Sequence, residues 1–117
     1  MQVYCFKDQL DDLGFRCQTL TIGYYYEVVA ISFNLDNKEV RYNIIDDIGR
    51  LAFYNDQYFQ IIQNKLPADL VMKRLTSSFY ILLPDCLSYD SFYEDFHNDD
   101  SIAKEKFRER FPNLMLH

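Results

Sequence analysis

Hydrophobic and polar residues alternate with a period of two in the first half of the chain, a pattern typical of half-buried strands. Residues 24–35 are rich in β-branched and aromatic side chains, and residues 39–45 alternate throughout. Between them, residues 36–38 read as a turn in which Asn37 can take a positive φ. The pattern predicts a β-hairpin over residues 24–45, on which we expect an antiparallel sheet to be built.

Weaker patterns lie on either side of this hairpin. Residues 7–13 suit a short helix closed by the glycine that follows, and residues 15–22 alternate as a strand does. Residues 46–63 fit two structures: their apolar side chains fall on one helical face, while residues 51–54 and 57–62 also fit a second hairpin. We favour the helix.

The spacing of apolar residues changes in the second half of the chain. They recur at helical intervals behind Pro67, which a first helical turn accepts, so a helix is predicted over residues 67–76. Residues 78–83 are a short apolar run ended by Pro84, which predicts a buried strand.

Two further helices are predicted toward the C-terminal end. Ser88 suits the N-cap of a helix over residues 88–97, and residues 99–101 can cap a last helix that Pro112 stops. The first of these helices carries an aromatic stripe with helical spacing, namely Tyr89, Phe92, Tyr93 and Phe96. The prediction is a single α+β domain over residues 1–117, with the sheet packed against helices mostly from the C-terminal half.

Negative charge is concentrated in one part of the chain. Twelve Lys and Arg against eighteen Asp and Glu give a net charge of −6. Residues 85–100, hereafter the acidic segment, contain six acids and no Lys or Arg, so the remainder balances at 12 against 12. A protein that binds the phosphate backbone of nucleic acid presents a cationic surface, and this chain is acidic. We therefore expect a basic protein partner and no direct contact with nucleic acid.

Groups that carry out catalysis are scarce. A cysteine nucleophile needs a base, and the chain has only two histidines, His97 and the terminal His117. The three cysteines and two histidines lack zinc-ligand spacing, and no glycine-rich phosphate loop or nucleophile-elbow motif occurs. The adjacent acids Asp46 and Asp47 suit the charge complement of a helix N-terminus. We therefore expect a protein that is not an enzyme and needs neither cofactor nor metal.

The sequence also carries signals about location. Residues 1–8 lack the basic and apolar regions of a secretory signal, and residues 17–33 are too polar to span a bilayer. Cys5, Cys17 and Cys86 are an odd set, which suits thiols kept reduced in a cytosol. We expect a cytoplasmic protein whose three cysteines are small core hydrophobes and form no bridge.

The simplest interpretation of an acidic, aromatic-rich domain without catalytic groups is a binding protein. The sharpest expectation is a bacterial immunity protein that neutralises a basic toxin domain, such as a nuclease. A bias toward Asn, Asp, Ile, Tyr and Phe suits an AT-rich bacterial or phage gene. The alternatives are a phage-encoded inhibitor that mimics nucleic acid, an adaptor or subunit of a larger complex, and a small enzyme whose acids bind metal.

The expected partner-binding surface lies on the acidic segment, because clustered charge steers a basic partner and tyrosine suits interfaces. An ordinary solvated helix face would account for the same acids. The three tyrosines at 24–26 are a second candidate surface. The predicted site residues are Asp85, Tyr89, Asp90, Tyr93, Glu94, Asp95, Asp99 and Asp100.

Overall fold

The computed structural model describes residues 1–10 and 14–114. Within them the chain forms eight strands, two helices and two short 3-10 turns, and neither helix is long and apolar enough to cross a membrane. In chain order the elements are β1 (Gln2–Cys5), β2 (Tyr25–Glu27), β3 (Ala30–Asn34), β4 (Glu39–Ile45), β5 (Leu51–Asn55), the 3-10 turn Asp56–Tyr58, β6 (Phe59–Gln63), β7 (Leu70–Arg74), β8 (Phe79–Pro84), the 3-10 turn Asp85–Leu87, α1 (Phe92–His97) and α2 (Ser101–Arg110).

The strands form two antiparallel sheets. A five-stranded sheet has the order β5-β4-β3-β8-β7, and a three-stranded sheet has the order β2-β1-β6. Both helices come from the C-terminal half of the chain. The α+β prediction is therefore confirmed.

Side chains alternate between the two faces of the five-stranded sheet and build a core on each. Ala30 and Ile81 face the helices, whereas the neighbouring Ile31 and Leu82 face the three-stranded sheet. The five-stranded sheet is therefore the middle of three layers. Each fully buried large apolar side chain contributes about 1.5–3 kcal/mol through its removal from water. The largest of these on the helix side are Phe92, Phe107, Leu51 and Leu87.

The predicted hairpin is confirmed where β3 pairs with β4. Its turn differs in one detail, because the positive φ of 58° belongs to Lys38 and not to Asn37. Asn37 instead accepts a hydrogen bond at Oδ1 from the backbone N–H of Glu39, at 2.9 Å. This interaction closes the turn from the side chain.

The long strand predicted over residues 24–35 divides into β2 and β3. β2 pairs with β1 in the smaller sheet, while β3 lies at the centre of the larger one. Val28 and Val29 carry the chain between the layers, and both are buried. Their packing between sheets explains why the apolar run continues through the break.

Two helix predictions are wrong, because strand pairing replaces them. Residues 70–74 form β7, an edge strand beside β8. Residues 46–63 contain β5 and β6 joined by a 3-10 turn, as the alternative prediction had it, but β5 pairs with β4 and β6 with β1. The two strands therefore do not form a hairpin with each other.

The strand predicted over residues 15–22 is also wrong, since this stretch is irregular. Its threonines bind the β4–β5 turn and β5: Thr21 Oγ1 donates to Asp47 Oδ2 in the turn at 2.6 Å, and Thr19 Oγ1 lies 2.5 Å from the hydroxyl of Tyr54 in β5. Residues 7–10 form no helix, and the rest of that predicted element, residues 11–13, lies outside the described residues.

The adjacent acids Asp46 and Asp47 mark a tight turn and not a helix start. Asp46 is buried, and its Oδ1 accepts hydrogen bonds from the backbone N–H groups of Ile48 and Arg50 at 3.2 and 3.0 Å. The Tyr54 hydroxyl donates to its Oδ2 at 2.6 Å. This carboxylate is therefore occupied in holding β4 and β5 together.

The remaining C-terminal predictions are largely confirmed. The buried strand predicted at 78–83 is β8, and α2 begins behind Asp100 as expected. The helix predicted to begin after Ser88 begins at Phe92 instead. The Ser88 hydroxyl donates to the backbone oxygen of Asp85 at 2.6 Å and so closes the preceding 3-10 turn.

Candidate functional site

The acidic segment is fixed to the molecule by its apolar side chains. Leu87, Phe92 and Phe96 are all less than 4 % exposed. Phe96 lies 5.2 Å from the ring of Phe107 in α2, between ring centroids. The aromatic stripe that the sequence predicted therefore lies in the helix-side core, and it holds the outward-facing acids on a fixed frame.

Both tyrosines of the predicted site turn toward this core. The Tyr93 hydroxyl donates to Oδ1 of the buried Asn43 at 2.9 Å, and burial raises the pKa of that hydroxyl. Tyr89 is half-buried against Phe92, with Lys106 Nζ 4.6 Å from its ring centroid. Neither tyrosine presents a free ring to a partner, so the acids are what this surface offers.

Two of the six acids form ion pairs with lysines from outside the segment. Lys73 Nζ in β7 lies 2.6 Å from Asp90 Oδ1, and Lys104 Nζ in α2 lies 3.4 Å from Asp99 Oδ1. The hydrogen bond from Lys73 holds the pKa of the Asp90 carboxyl below its usual value. Two of the six negative charges of the segment are therefore balanced in the folded structure by lysines from outside it.

Two other acids are bound to the chain around them. Asp100 is the N-cap of α2, and its Oδ2 accepts a hydrogen bond from the backbone N–H of Ala103 at 2.9 Å. Asp95 Oδ2 accepts from the Ser91 hydroxyl at 2.9 Å. We assign Asp100 a structural role and Asp95 a partly structural one.

Asp85 and Glu94 complete the set. Both are exposed, and neither side chain forms a hydrogen bond or ion pair with any residue that the structure describes. Beside Asp85, the carboxylate of Asp69 is held by Arg110 through Nε at 2.5 Å and Nη2 at 2.9 Å, which lowers the pKa of Asp69. Asp85, Asp90, Glu94 and Asp99 are thus the exposed carboxylates of the acidic segment, and we call this set of four the acidic face.

The cysteines are only partly as predicted. Cys5 is buried, Cys17 is half-buried and Cys86 is exposed, and all three are free thiols. Burial nevertheless raises the pKa of the Cys86 thiol. The prediction of three core cysteines is therefore wrong for Cys86, because the 3-10 turn that buries Leu87 directs the preceding side chain outward.

The second candidate surface, at residues 24–26, is divided between two sides of the small sheet. Tyr26 is buried and its hydroxyl donates to Asp47 Oδ1 at 2.5 Å. Tyr24 and Tyr25 are exposed, and Tyr25 lies across the strand pair from Tyr4 at 5.2 Å between ring centroids. The rings of Tyr24 and Tyr25 therefore remain accessible.

Residues 1–10 and 14–114 contain no group of three His, Cys, Asp or Glu side chains placed to hold a metal ion. No family model matches the chain, and no curated protein or solved structure is significantly similar to it. The acidic face is therefore characterised by its own residues.

Proposed function

We propose that this protein is a non-enzymatic binding protein of the bacterial cytosol whose acidic face docks a basic protein partner. In its most specific form it is an immunity protein that neutralises a basic toxin domain. The observation that carries the proposal is the arrangement of the acidic segment. Its aromatic side is buried while four carboxylates remain exposed, at Asp85, Asp90, Glu94 and Asp99.

Rigid anchoring suits such a face to tight binding. Ordering a mobile loop on association costs free energy, and α1 avoids that cost because Phe92 and Phe96 already fix its position. A net charge of −6 supplies long-range attraction to a cation. The partner would therefore meet carboxylates whose positions are set before contact.

The internal ion pairs do not block this use. The Asp90 side chain is fully exposed and that of Asp99 is 88 % exposed, so their pairs with Lys73 and Lys104 are of the surface kind. Exposed pairs contribute little to stability because water screens them. An arginine or lysine of a partner can therefore replace either lysine at little cost.

The test begins with the gene beside the one for this chain. If the proposal is right, that gene encodes a secreted protein with a basic C-terminal domain, and expression of this domain alone stops bacterial growth. Co-expression of the wild-type chain is expected to restore growth and to co-purify with the domain. A neighbouring basic domain that is toxic in both conditions would contradict the proposal.

Variants then assign the effect to the acidic face. The double variant Asp85→Lys with Glu94→Lys changes the two carboxylates that have no partner among the described residues. The matched control is the double variant Glu105→Lys with Glu109→Lys, which reverses two exposed charges on the outer side of α2. The single variant Glu105→Lys is measured beside it. We expect the Asp85→Lys, Glu94→Lys variant to lose protection and the α2 double variant to keep it. Equal loss of protection in the two double variants would show that only net charge matters.

A further inference from the structure

The helices cover only part of their side of the five-stranded sheet. Ala30 and Leu83 lie beneath them, whereas Ser32 in β3 and Phe79 in β8, farther along the same face, line a part that the helices leave open. A depression of about 370 Å³ opens there. This volume falls within the range of small-molecule sites, about 300–1,000 Å³.

The depression has rigid, largely apolar walls. Strands supply its floor, and Tyr93 from α1 closes one end, held by its hydrogen bond to Asn43 and by the ring of Phe53 at 5.4 Å between centroids. The apolar lining consists of Phe53, Leu75, Phe79, Ile81 and the ring of Tyr93. Such walls favour a flat apolar body over a charged one.

Several polar groups at the rim are already used by the hairpin turn. Asn34 Oδ1 accepts from the backbone N–H of Asp36 at 3.0 Å, and Asn37 bonds to Glu39. Glu39 also pairs with Arg41. The two charged residues of the lining therefore balance each other, and a charged ligand would leave this balance broken.

Hydrogen-bond donors remain without partners on the same side of the sheet. The Ser32 side chain is only 3 % exposed, and its hydroxyl makes no hydrogen bond within the described residues. Asn43 lies diagonally across β3 and β4 from it, and the Asn43 Nδ2 amide is fully buried without a partner among those residues. Buried donors are almost always satisfied, so the Asn43 amide lacks an acceptor, while the Ser32 hydroxyl, which lines the depression, is free to donate into it.

We propose that this depression binds a small uncharged molecule with an aromatic ring and a carbonyl-type acceptor. The ring lies between Phe53 and Phe79, and the acceptor oxygen takes a hydrogen bond from the Ser32 hydroxyl. A site built to hydrogen-bond a group discriminates strongly against ligands that lack it. This site is separate from the acidic face and does not depend on the function proposed above.

Three probes of the same size and shape test the charge and the acceptor together: benzamide, benzoate and benzamidinium. Their binding is followed by NMR, through the side-chain signals of Phe53, Phe79 and Tyr93. Benzamide is expected to shift these signals saturably at millimolar concentration, as suits a ligand of this size. Benzoate is expected to bind more weakly, because its charge would break the balance between Glu39 and Arg41. Benzamidinium is expected to move the signals of the acidic face instead.

Variants assign the site. Ser32→Ala removes the donor and is expected to weaken benzamide binding about two- to tenfold, the worth of one net hydrogen bond. The matched control is Ser77→Ala at an exposed turn position, which is expected to change nothing. Leu75→Ala removes a wall that is half exposed, so it weakens binding without unfolding the protein.

Three results would overturn the proposal. These are the absence of saturable shifts at the depression, equal effects of Ser32→Ala and Ser77→Ala, and a preference of the depression for benzamidinium. A thermal melt of each variant shows that the fold is intact, so that a lost signal reports on the site.

Discussion

The division of the six acids into structural and exposed ones predicts very different costs of neutralising them. Asp100→Ala removes the carboxylate that accepts the Ala103 N–H, whereas Glu94→Gln changes a side chain without a described partner. We expect the first variant to destabilise the protein and the second to leave the free energy of unfolding within about 0.5 kcal/mol of wild type. Asp100→Asn is the matched control, because asparagine caps helices about as well as aspartate.

The magnitude for Asp100→Ala follows from burial at the helix start. Loss of an N-cap costs about 0.5–2 kcal/mol. Ala103 is fully buried, so water cannot readily replace the lost acceptor, and we expect the upper half of that range. For a domain of 117 residues this corresponds to a fall in Tm of about 3–10 °C.

Urea unfolding followed by circular dichroism measures these differences directly. The expected order of stability places wild type, Glu94→Gln and Asp100→Asn close together and Asp100→Ala clearly below them. If Glu94→Gln were as destabilising as Asp100→Ala, Glu94 would have a structural partner, and its place in the acidic face would be refuted. If Asp100→Asn fell with Asp100→Ala, the charge and not the cap would be what α2 requires.

The remaining predictions concern the core, the pH dependence and the thiols. Phe107→Ala is expected to cost about 3–5 kcal/mol in urea unfolding, since the ring is fully buried; a cost under 1 kcal/mol would contradict the packing. Arg110 lowers the pKa of Asp69 below its usual 3.8, so the stabilisation from this pair is present above that pH and is lost as the pH falls through the lowered pKa. Asp69→Asn should therefore reduce stability at neutral pH and not in strong acid, as acid titration of both proteins will show. In the native protein iodoacetamide should alkylate the exposed Cys86, and the reaction should speed up as the pH rises because the pKa of this thiol is raised. The buried Cys5 should react only after unfolding, and mass spectrometry of the modified peptides checks both expectations.

Local sequence signals predicted those elements whose stability is local. The β3–β4 hairpin follows from alternation and a turn sequence, and α2 follows from Asp100 as a cap and from the spacing of Ala103 and Phe107. These signals act over a few residues, so no knowledge of the tertiary structure was needed. The same holds for the aromatic stripe, whose spacing indicated that α1 has a buried side.

Other elements depend on partners that are distant in sequence. Residues 70–74 have apolar spacing that fits a helix as well as a strand, and pairing with β8 decides between them. The run from Val28 to Ile31 is buried without a break because it passes between two layers, which single-strand alternation cannot represent. Residues 15–22 alternate in polarity without pairing as a strand; their threonines instead form side-chain hydrogen bonds to Asp47 and to Tyr54.

The sequence located the cluster of acids but not the ion pairs that its members form in the structure. Asp90 and Glu94 are exposed, as the charges of an outer helix face are expected to be. No sequence signal indicated Lys73, which reaches Asp90 only through the edge strand β7. The pair of Lys104 with Asp99 has no signal of this kind either, because the helical spacing of four residues points from Lys104 to Asp100, which is the N-cap instead.

The most direct test of docking at the acidic face is the rate of association between this protein and the basic domain encoded beside it, measured by stopped-flow at low and moderate salt. For wild type we predict fast association that slows steeply as salt rises. Asp85→Lys with Glu94→Lys should reduce the low-salt rate about tenfold or more and flatten the salt dependence, with an unchanged Tm. An unchanged rate and salt dependence in this variant would contradict docking at the acidic face. The exposed rings of Tyr24 and Tyr25 would then be the surface to examine next.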